Sequence, residues 1–433
     1  MVCPNQFPVV ALEPEILLLV SIYFQHVSFQ YANNNTTITT PRQQQLTAKV
    51  PYSAAAALFN CDRIRQHGYP CEIHKVTTSD GYILTLFRIP NTKSEKPMRF
   101  PALLMQCLSC TSDIYVVTGP NDGLAFLLAN AGFDVWLGNS RGNNYSQQHV
   151  SLSPYSLEYW SFSLDEVALI DVPTNIRYIL KATNRTRLHY YGYSLGATVF
   201  LMLLSLDPSY TEIIQSTHLS APPVFLCLRR TNLESILLQF IGEPGNAAVE
   251  LIGSFPSQGL TSLFRYLGHR FCQVKQNHRV CREIVNFFSE WGTAYLNTTL
   301  LADLFLSIPA DNSLRQYIHY LQFAKNCEFK AYDFGRETNI RKYGSVKPPS
   351  YDLKAIHTAQ PIEVYFSDND NMASLENVKK LYSIMGRVCN WNRLKLRRYS
   401  HYDFTLATNV GEVVNRCLVA KLQKYEGHPL DAE

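Results

Sequence analysis

The apolar and polar positions of the chain fall into short buried-type runs separated by stretches of helical period. Glu72–Thr77 and Tyr82–Ile89 flank Ser79-Asp80-Gly81 and read as a hairpin, because an Asp-Gly turn joining two β-rich runs is a strong hairpin signal. Pro101–Gln106 is a largely continuous apolar run, the signature of a strand covered on both faces. A helix is expected over Asp122–Ala131, followed by a second buried strand over Phe133–Leu137 that ends in Gly138-Asn139-Ser140-Arg141-Gly142. A helix over Ser163–Leu180 comes next, with Pro173 expected to kink or break it. The stretch from Leu188 to Leu201 then reads as a strand, a sharp turn with Ser194 at its tip, and a helix.

From Pro222 to Tyr343 the pattern turns to helices and turns with apolar patches at Ile236–Ile241 and Leu300–Ile308, as expected of an insertion that caps a sheet. Strands are expected again at Pro361–Phe366 and Leu394–Tyr399, with a closing helix over Val410–Tyr425. Alternating strands and helices imply an α/β chain with a mostly parallel sheet, helices on both faces and right-handed crossovers. In such sheets reactive groups gather at the carboxyl ends of the strands.

Length and composition sharpen the domain plan. The 433 residues, 46% hydrophobic, are enough for a large core. The apolar run Ile16–Phe24 has the length of a secretory signal core and is too short to span a bilayer. Residues 1–32 are therefore expected to be a signal peptide and 33–57 a flexible segment rich in Ser, Thr, Asn and Gln. Residues 58–221 with 344–433 would form the α/β core, and 222–343 the cap. Sequons at Asn34, Asn35, Asn144, Asn184 and Asn297 fit an exported glycoprotein.

The net charge of +4 is small and no long basic block occurs, so nothing points to nucleic acid. Arg393–Arg398 alternates basic and apolar residues like the solvated face of a strand. The eleven cysteines leave at least one without an intrachain partner. Cys107-Leu108-Ser109-Cys110 lacks a second pair to make a zinc site and reads as a structural or incidental pair, while Cys272 and Cys281 could close a short loop in an oxidising compartment.

The chemistry centres on Gly192-Tyr193-Ser194-Leu195-Gly196. Gly-x-Ser-x-Gly alone is a weak signal, but between a strand and a helix it is the context of a nucleophile elbow, whose glycines permit the tight turn and close packing. Of the twelve histidines, His401 follows a late strand and lies downstream of both Ser194 and an acid, as the general base should. Asp368 and Asp370 both follow the strand at Pro361–Phe366; Asp370, further into the loop, is the expected orienting acid and Asp368 a loop or capping residue. Asp165 and Asp171, on the helix before the elbow, are expected to be solvated or capping.

Taken together, several stretches resemble the acid lipase family of α/β-hydrolases, which includes gastric and lysosomal acid lipases and insect members. They are Gly68-Tyr69-Pro70, Val76–Tyr82, Ala131–Asn143, Tyr332-Asp333-Phe334-Gly335, Asn339, Tyr343-Gly344, Pro348-Pro349 and Tyr399–Phe404. The resemblance implies an α/β-hydrolase fold with a helical cap, in which Ser194 is the nucleophile, Asp370 the acid and His401 the base. It also implies a cap disulfide between Cys272 and Cys281. The implied activity is hydrolysis of triacylglycerols or sterol esters through an acyl-enzyme, without metal or cofactor, in a secreted or lysosomal protein whose cap contacts a lipid surface.

The family's oxyanion hole maps by position onto the backbone N–H groups of Leu195 and Ser109. Here the usual His-Gly is replaced by Cys107-Leu108, and Leu108 is expected to bring a Cβ where glycine would have allowed a close approach or an unusual φ. Tyr193 stands in place of the usual histidine before the serine. The competing expectation is a weakened or silent relative that binds lipid or a protein partner.

Overall fold

The Asp-Gly hairpin forms as its composition demands. Strand β1 (Glu72–Thr77) pairs antiparallel with β2 (Tyr82–Ile89) across the turn at Gly81, whose φ is +97°. From there the computed structural model builds a nine-stranded sheet, adding β3 (Ala102–Met105), β4 (Val135–Gly138), β5 (Gln148–His149), β6 (Leu188–Tyr193), β7 (Ile214–Ser220), β8 (Ile362–Ser367) and β9 (Cys389–Leu394). Their order is β1-β2-β4-β3-β6-β7-β8-β9, with β5 paired to β2. Every pair from β4 to β9 is parallel, so the carboxyl ends of β3, β6, β8 and β9 open on one edge. The structure describes residues 60–91, 99–227, 245, 247–288 and 293–427. The expected signal peptide, the segment 33–57, the sequons at Asn34 and Asn35 and the apolar patch Ile236–Ile241 lie outside them.

Strand β7 has no counterpart in the apolar pattern. Its sequence, IQSTHLS, carries five polar residues, yet all seven positions are buried. Ser216 and His218 are tolerated because they bond to one another and to neighbouring strands, and Gln215 donates to the Tyr425 carbonyl at 2.7 Å. His189 of β6 meets Ser216 at 2.6 Å and Glu426 at 2.7 Å, Ser216 meets His218 at 2.9 Å, and His218 meets Tyr365 of β8 at 3.0 Å. A buried polar group so paired avoids the cost of desolvation that makes hydrophobic patterning work elsewhere.

Three further expectations are corrected. The last strand runs over Cys389–Leu394, not Leu394–Tyr399; it is an edge strand with half-exposed positions, which blunts its alternation, and most of the basic run Arg393–Arg398 lies in the loop beyond it. Pro173 does not break its helix: a π-helical turn at Val167–Asp171 widens the backbone just ahead of it, and Pro173 sits in the first turn of Val172–Thr183, where its missing N–H is not needed. Asp165 and Asp171 are buried, not solvated. Asp171 holds the guanidinium of Arg141 with bonds of 2.7 and 2.8 Å, and Asp165 accepts the Tyr332 amide at 3.0 Å.

Between β7 and β8 the described chain is mainly helical, including Ala247–Gly253, Gln258–Cys272, His278–Phe288, Leu314–Asn326 and Arg336–Tyr343. Disulfide Cys227–Cys327 ties this segment's beginning to the end of one of its helices, and Cys272–Cys281 closes the turn between two others. Cys61–Cys71 and Cys107–Cys110 complete the pairs, leaving Cys389 buried and Cys417 exposed as free thiols among the described residues.

Candidate active site

The elbow between β6 and the helix Leu195–Leu206 places Ser194 at φ 54°, ψ −111°, a conformation that costs a non-glycine residue about 1–3 kcal/mol and persists only where the surroundings impose it. Here they do. The Ser194 amide donates to the Ser220 carbonyl on β7 at 2.9 Å, and the Gly196 amide to the Gln106 carbonyl after β3 at 3.0 Å. A Cβ on Gly192 would fall 2.5 Å from the Gly196 carbonyl, and one on Gly196 would clash with the Met105 carbonyl oxygen. Both glycines are thus required for the helix to approach the sheet closely enough to turn the serine outward.

Ser194 Oγ lies 2.8 Å from His401 Nε2, and His401 Nδ1 lies 2.9 and 3.0 Å from the two carboxylate oxygens of Asp370. All three side chains are almost completely buried. Of the two aspartates, Asp370 contacts His401, whereas Asp368 pairs with Arg393 at 2.8 Å on the surface. Asp370 also accepts the amides of Met372 and Ala373 at 2.9 and 2.8 Å, which fixes its orientation.

Sequence reasoning did not single out the groups that hold the His401 loop. Asp403 accepts the Ser400 amide at 2.6 Å and the Thr293 hydroxyl at 2.5 Å, so it links this loop to the capping segment. Burial pushes its carboxyl up to about 6, against the downward pull of those same bonds. Tyr193, the residue that departs from the family pattern, donates its hydroxyl to the His401 carbonyl at 2.8 Å and stacks on the imidazole at 5.4 Å. Its departure is therefore a contact with the base, a role that no periodicity could reveal.

Cys107–Cys110 form a turn directly after Gln106, whose carbonyl accepts the Gly196 amide of the elbow. Their Cα atoms are 5.2 Å apart, the Cys110 amide donates to the Cys107 carbonyl at 3.3 Å, and a disulfide closes the turn. The unusual φ falls on Ser109, at +55°, while Leu108 is not among the positive-φ residues. The positive φ of this turn is thus one residue beyond Leu108. Ser109 is also gripped from the capping segment, its carbonyl accepting the Ala310 amide at 2.7 Å and its hydroxyl contacting Tyr317 Oη and Asn312 Nδ2. Leu195 opens its helix, so its amide has no carbonyl one turn earlier to bond.

Of the sequons, Asn184 is exposed at a left-handed helix end and Asn297 is half-buried at the start of a short 3₁₀ turn. Asn144 is buried, accepting the Asp311 amide at 3.0 Å, which corrects its inclusion among glycan sites. No described helix is long and apolar enough to cross a membrane.

Comparison with known proteins agrees with this geometry. Residues 61–119 match the partial α/β-hydrolase lipase region and residues 117–240 the α/β hydrolase fold. Lipase 3 of Drosophila melanogaster is 33% identical over 368 residues, 84% of this chain and 93% of that protein. Gastric triacylglycerol lipase of Bos taurus is 31% identical over 379 residues, 86% of this chain and 93% of that protein. Lipase member K of Homo sapiens is 31% identical over 364 residues, covering 83% and 89%. With the fold, the elbow and this breadth of likeness together, the chain belongs to the acid lipase family of α/β-hydrolases, hydrolases of lipase and carboxylesterase type.

Proposed function

We propose that the chain hydrolyses the carboxylic ester of a neutral lipid, a triacylglycerol or a sterol ester, through an acyl-enzyme on Ser194. The observation that carries this reading is the continuous chain of hydrogen bonds from Ser194 Oγ through His401 to Asp370, joined to the constrained backbone of Ser194. Ser194 Oγ attacks the carbonyl carbon as His401 Nε2 takes its proton. Asp370 holds the imidazole in the tautomer that accepts at Nε2 and stabilises the imidazolium that forms. The amides of Leu195 and Ser109 receive the charge on the carbonyl oxygen. His401 then returns the proton to the departing alcohol, and water repeats the sequence to release the fatty acid. The chemistry needs no metal or cofactor.

The lipid substrate class draws on the relatives' names and on the capping segment. Leu263, Tyr266, Leu267 and Phe271 are exposed on one stripe of the helix Gln258–Cys272. Such a patch suits adsorption to a lipid surface. Export to a secreted or lysosomal compartment, with glycans at Asn184 and Asn297, fits four disulfides among the described residues. The test is release of fatty acid from emulsified triacylglycerol and from sterol ester by the wild type and by Ser194→Ala. Equal release by both proteins would sink the assignment. The rival reading, a silent lipid-binding relative, predicts no release until Cys107→His/Leu108→Gly restores it.

A further inference from the structure

We propose that the Cys107–Cys110 disulfide is the positioning device of the oxyanion loop, holding Ser109 in the left-handed conformation that presents its amide to the reacting carbonyl. The inference rests on the assignment of Ser194 and of the two amides made above.

A four-residue turn whose third residue has positive φ ordinarily takes glycine or asparagine there. This turn has serine at φ +55°, and the backbone bond across it, Cys110 N–H to Cys107 carbonyl, is long at 3.3 Å. The disulfide joins the first and last residues of the same turn, so Leu108 and Ser109 cannot open into an extended segment while it is intact. Those anchors are fixed. Cys107 and Cys110 are both buried, Cys107 follows directly on β3 and Gln106, and Cys110 leads into Thr111, whose side chain caps the 3₁₀ turn Ser112–Tyr115. The remaining holds on Ser109, from Ala310, Asn312 and Tyr317, all come from the capping segment. Within the sheet domain the disulfide is the covalent hold on this turn.

Because a covalent bond does the holding, its reduction releases the turn, and with both sulfurs buried that exchange follows a local opening. A dithiol delivers two electrons and two protons, the sulfur–sulfur bond breaks to leave the Cys107 and Cys110 thiols, and the dithiol closes to its own disulfide. The turn is then free to relax.

The test uses the full-length protein and a soluble short-chain ester. Cys107→Ala/Cys110→Ala should lose about tenfold to hundredfold in kcat, because a displaced oxyanion donor is felt in the transition state. KM should change by less than about twofold, as for an interaction absent from the ground state. A trifluoromethyl ketone, whose serine adduct carries the oxyanion, should lose affinity by the same factor as kcat. Wild-type kcat in the variant, or a loss of kcat without loss of inhibitor affinity, would overturn the proposal. Should the variant not fold, graded dithiol reduction of the wild type, with alkylation and mass-spectrometric counting of each pair, gives the same answer. Residual kcat should follow the intact fraction of Cys107–Cys110; a kcat that follows Cys272–Cys281 or Cys227–Cys327 instead contradicts it. Untreated wild type that neither turns over ester nor reacts with a fluorophosphonate would overturn the Ser194 assignment itself, and this inference with it.

Discussion

In the proposed mechanism Ser194, His401 and Asp370 act as one unit, with Asp370 contributing orientation. Its two oxygens share His401 Nδ1 while the Met372 and Ala373 amides hold it in place. Asp370→Asn keeps the shape but offers an N–H where an acceptor is needed, favouring the wrong tautomer of His401. The expected loss in kcat is about 10⁴-fold, the magnitude found for the same change in a serine protease triad. Steady-state kinetics on a soluble ester check this, and a loss smaller than tenfold would show that Asp370 is not the orienting acid. Asp403 behaves differently. Burial raises its pKa to about 6, above the value of about 3.9 for an unfolded chain, so the native state binds the proton more tightly. Its contribution to stability is fully present below about pH 4 and is lost as pH rises through about 6, by roughly 2–3 kcal/mol. Denaturant melts at pH 4 and pH 7 should therefore show wild type losing stability relative to Asp403→Asn as pH rises. A difference that stays constant between the two pH values contradicts this.

At the scale of elements, the sequence was most legible where burial is mainly apolar. β3, β4, β6 and β8 were read from their runs, and the elbow from its glycines, because each glycine answers a steric demand that no other residue meets. β7 was invisible because its burial is satisfied by hydrogen bonds, whose partners lie on other strands and on the final helix. β9 was misplaced because an edge strand need not alternate cleanly. Asp171 was misjudged for a related reason: its partner Arg141 is thirty residues away, at the end of β4, and also pairs with Asp80 of the hairpin turn. That triad joins three elements beneath Tyr82, whose ring lies 4.1 Å from the guanidinium. Arg141→Met leaves Asp171 buried without its counter-charge and should cost about 3–5 kcal/mol. Thermal and denaturant melts measure it, and a cost below 1 kcal/mol would mean the triad is not what joins these elements.

On the scale of the whole molecule, the helical segment between β7 and β8 is bonded to the sheet domain at several points. Asp403 meets Thr293, Ser109 meets Ala310 and Asn312, and Arg315 reaches the Ser161 carbonyl at 2.9 Å, so both loops beside Ser194 are braced from it. Its outer stripe is a separate feature. Leu263→Ser/Leu267→Ser should reduce adsorption to triacylglycerol emulsions by about tenfold, each lost apolar side chain contributing in proportion to its buried area. Turnover of a soluble ester should be unaffected. Unchanged adsorption would place the lipid-contacting face elsewhere.

The central claim is that Ser194 is a nucleophile activated by its setting, and the site of covalent labelling tests it most directly. The folded protein is treated with a serine-directed fluorophosphonate, digested and mapped by mass spectrometry. The account predicts one phosphonylated serine, Ser194, and no label in Ser194→Ala. A label on another serine, or none on folded wild type, would contradict it.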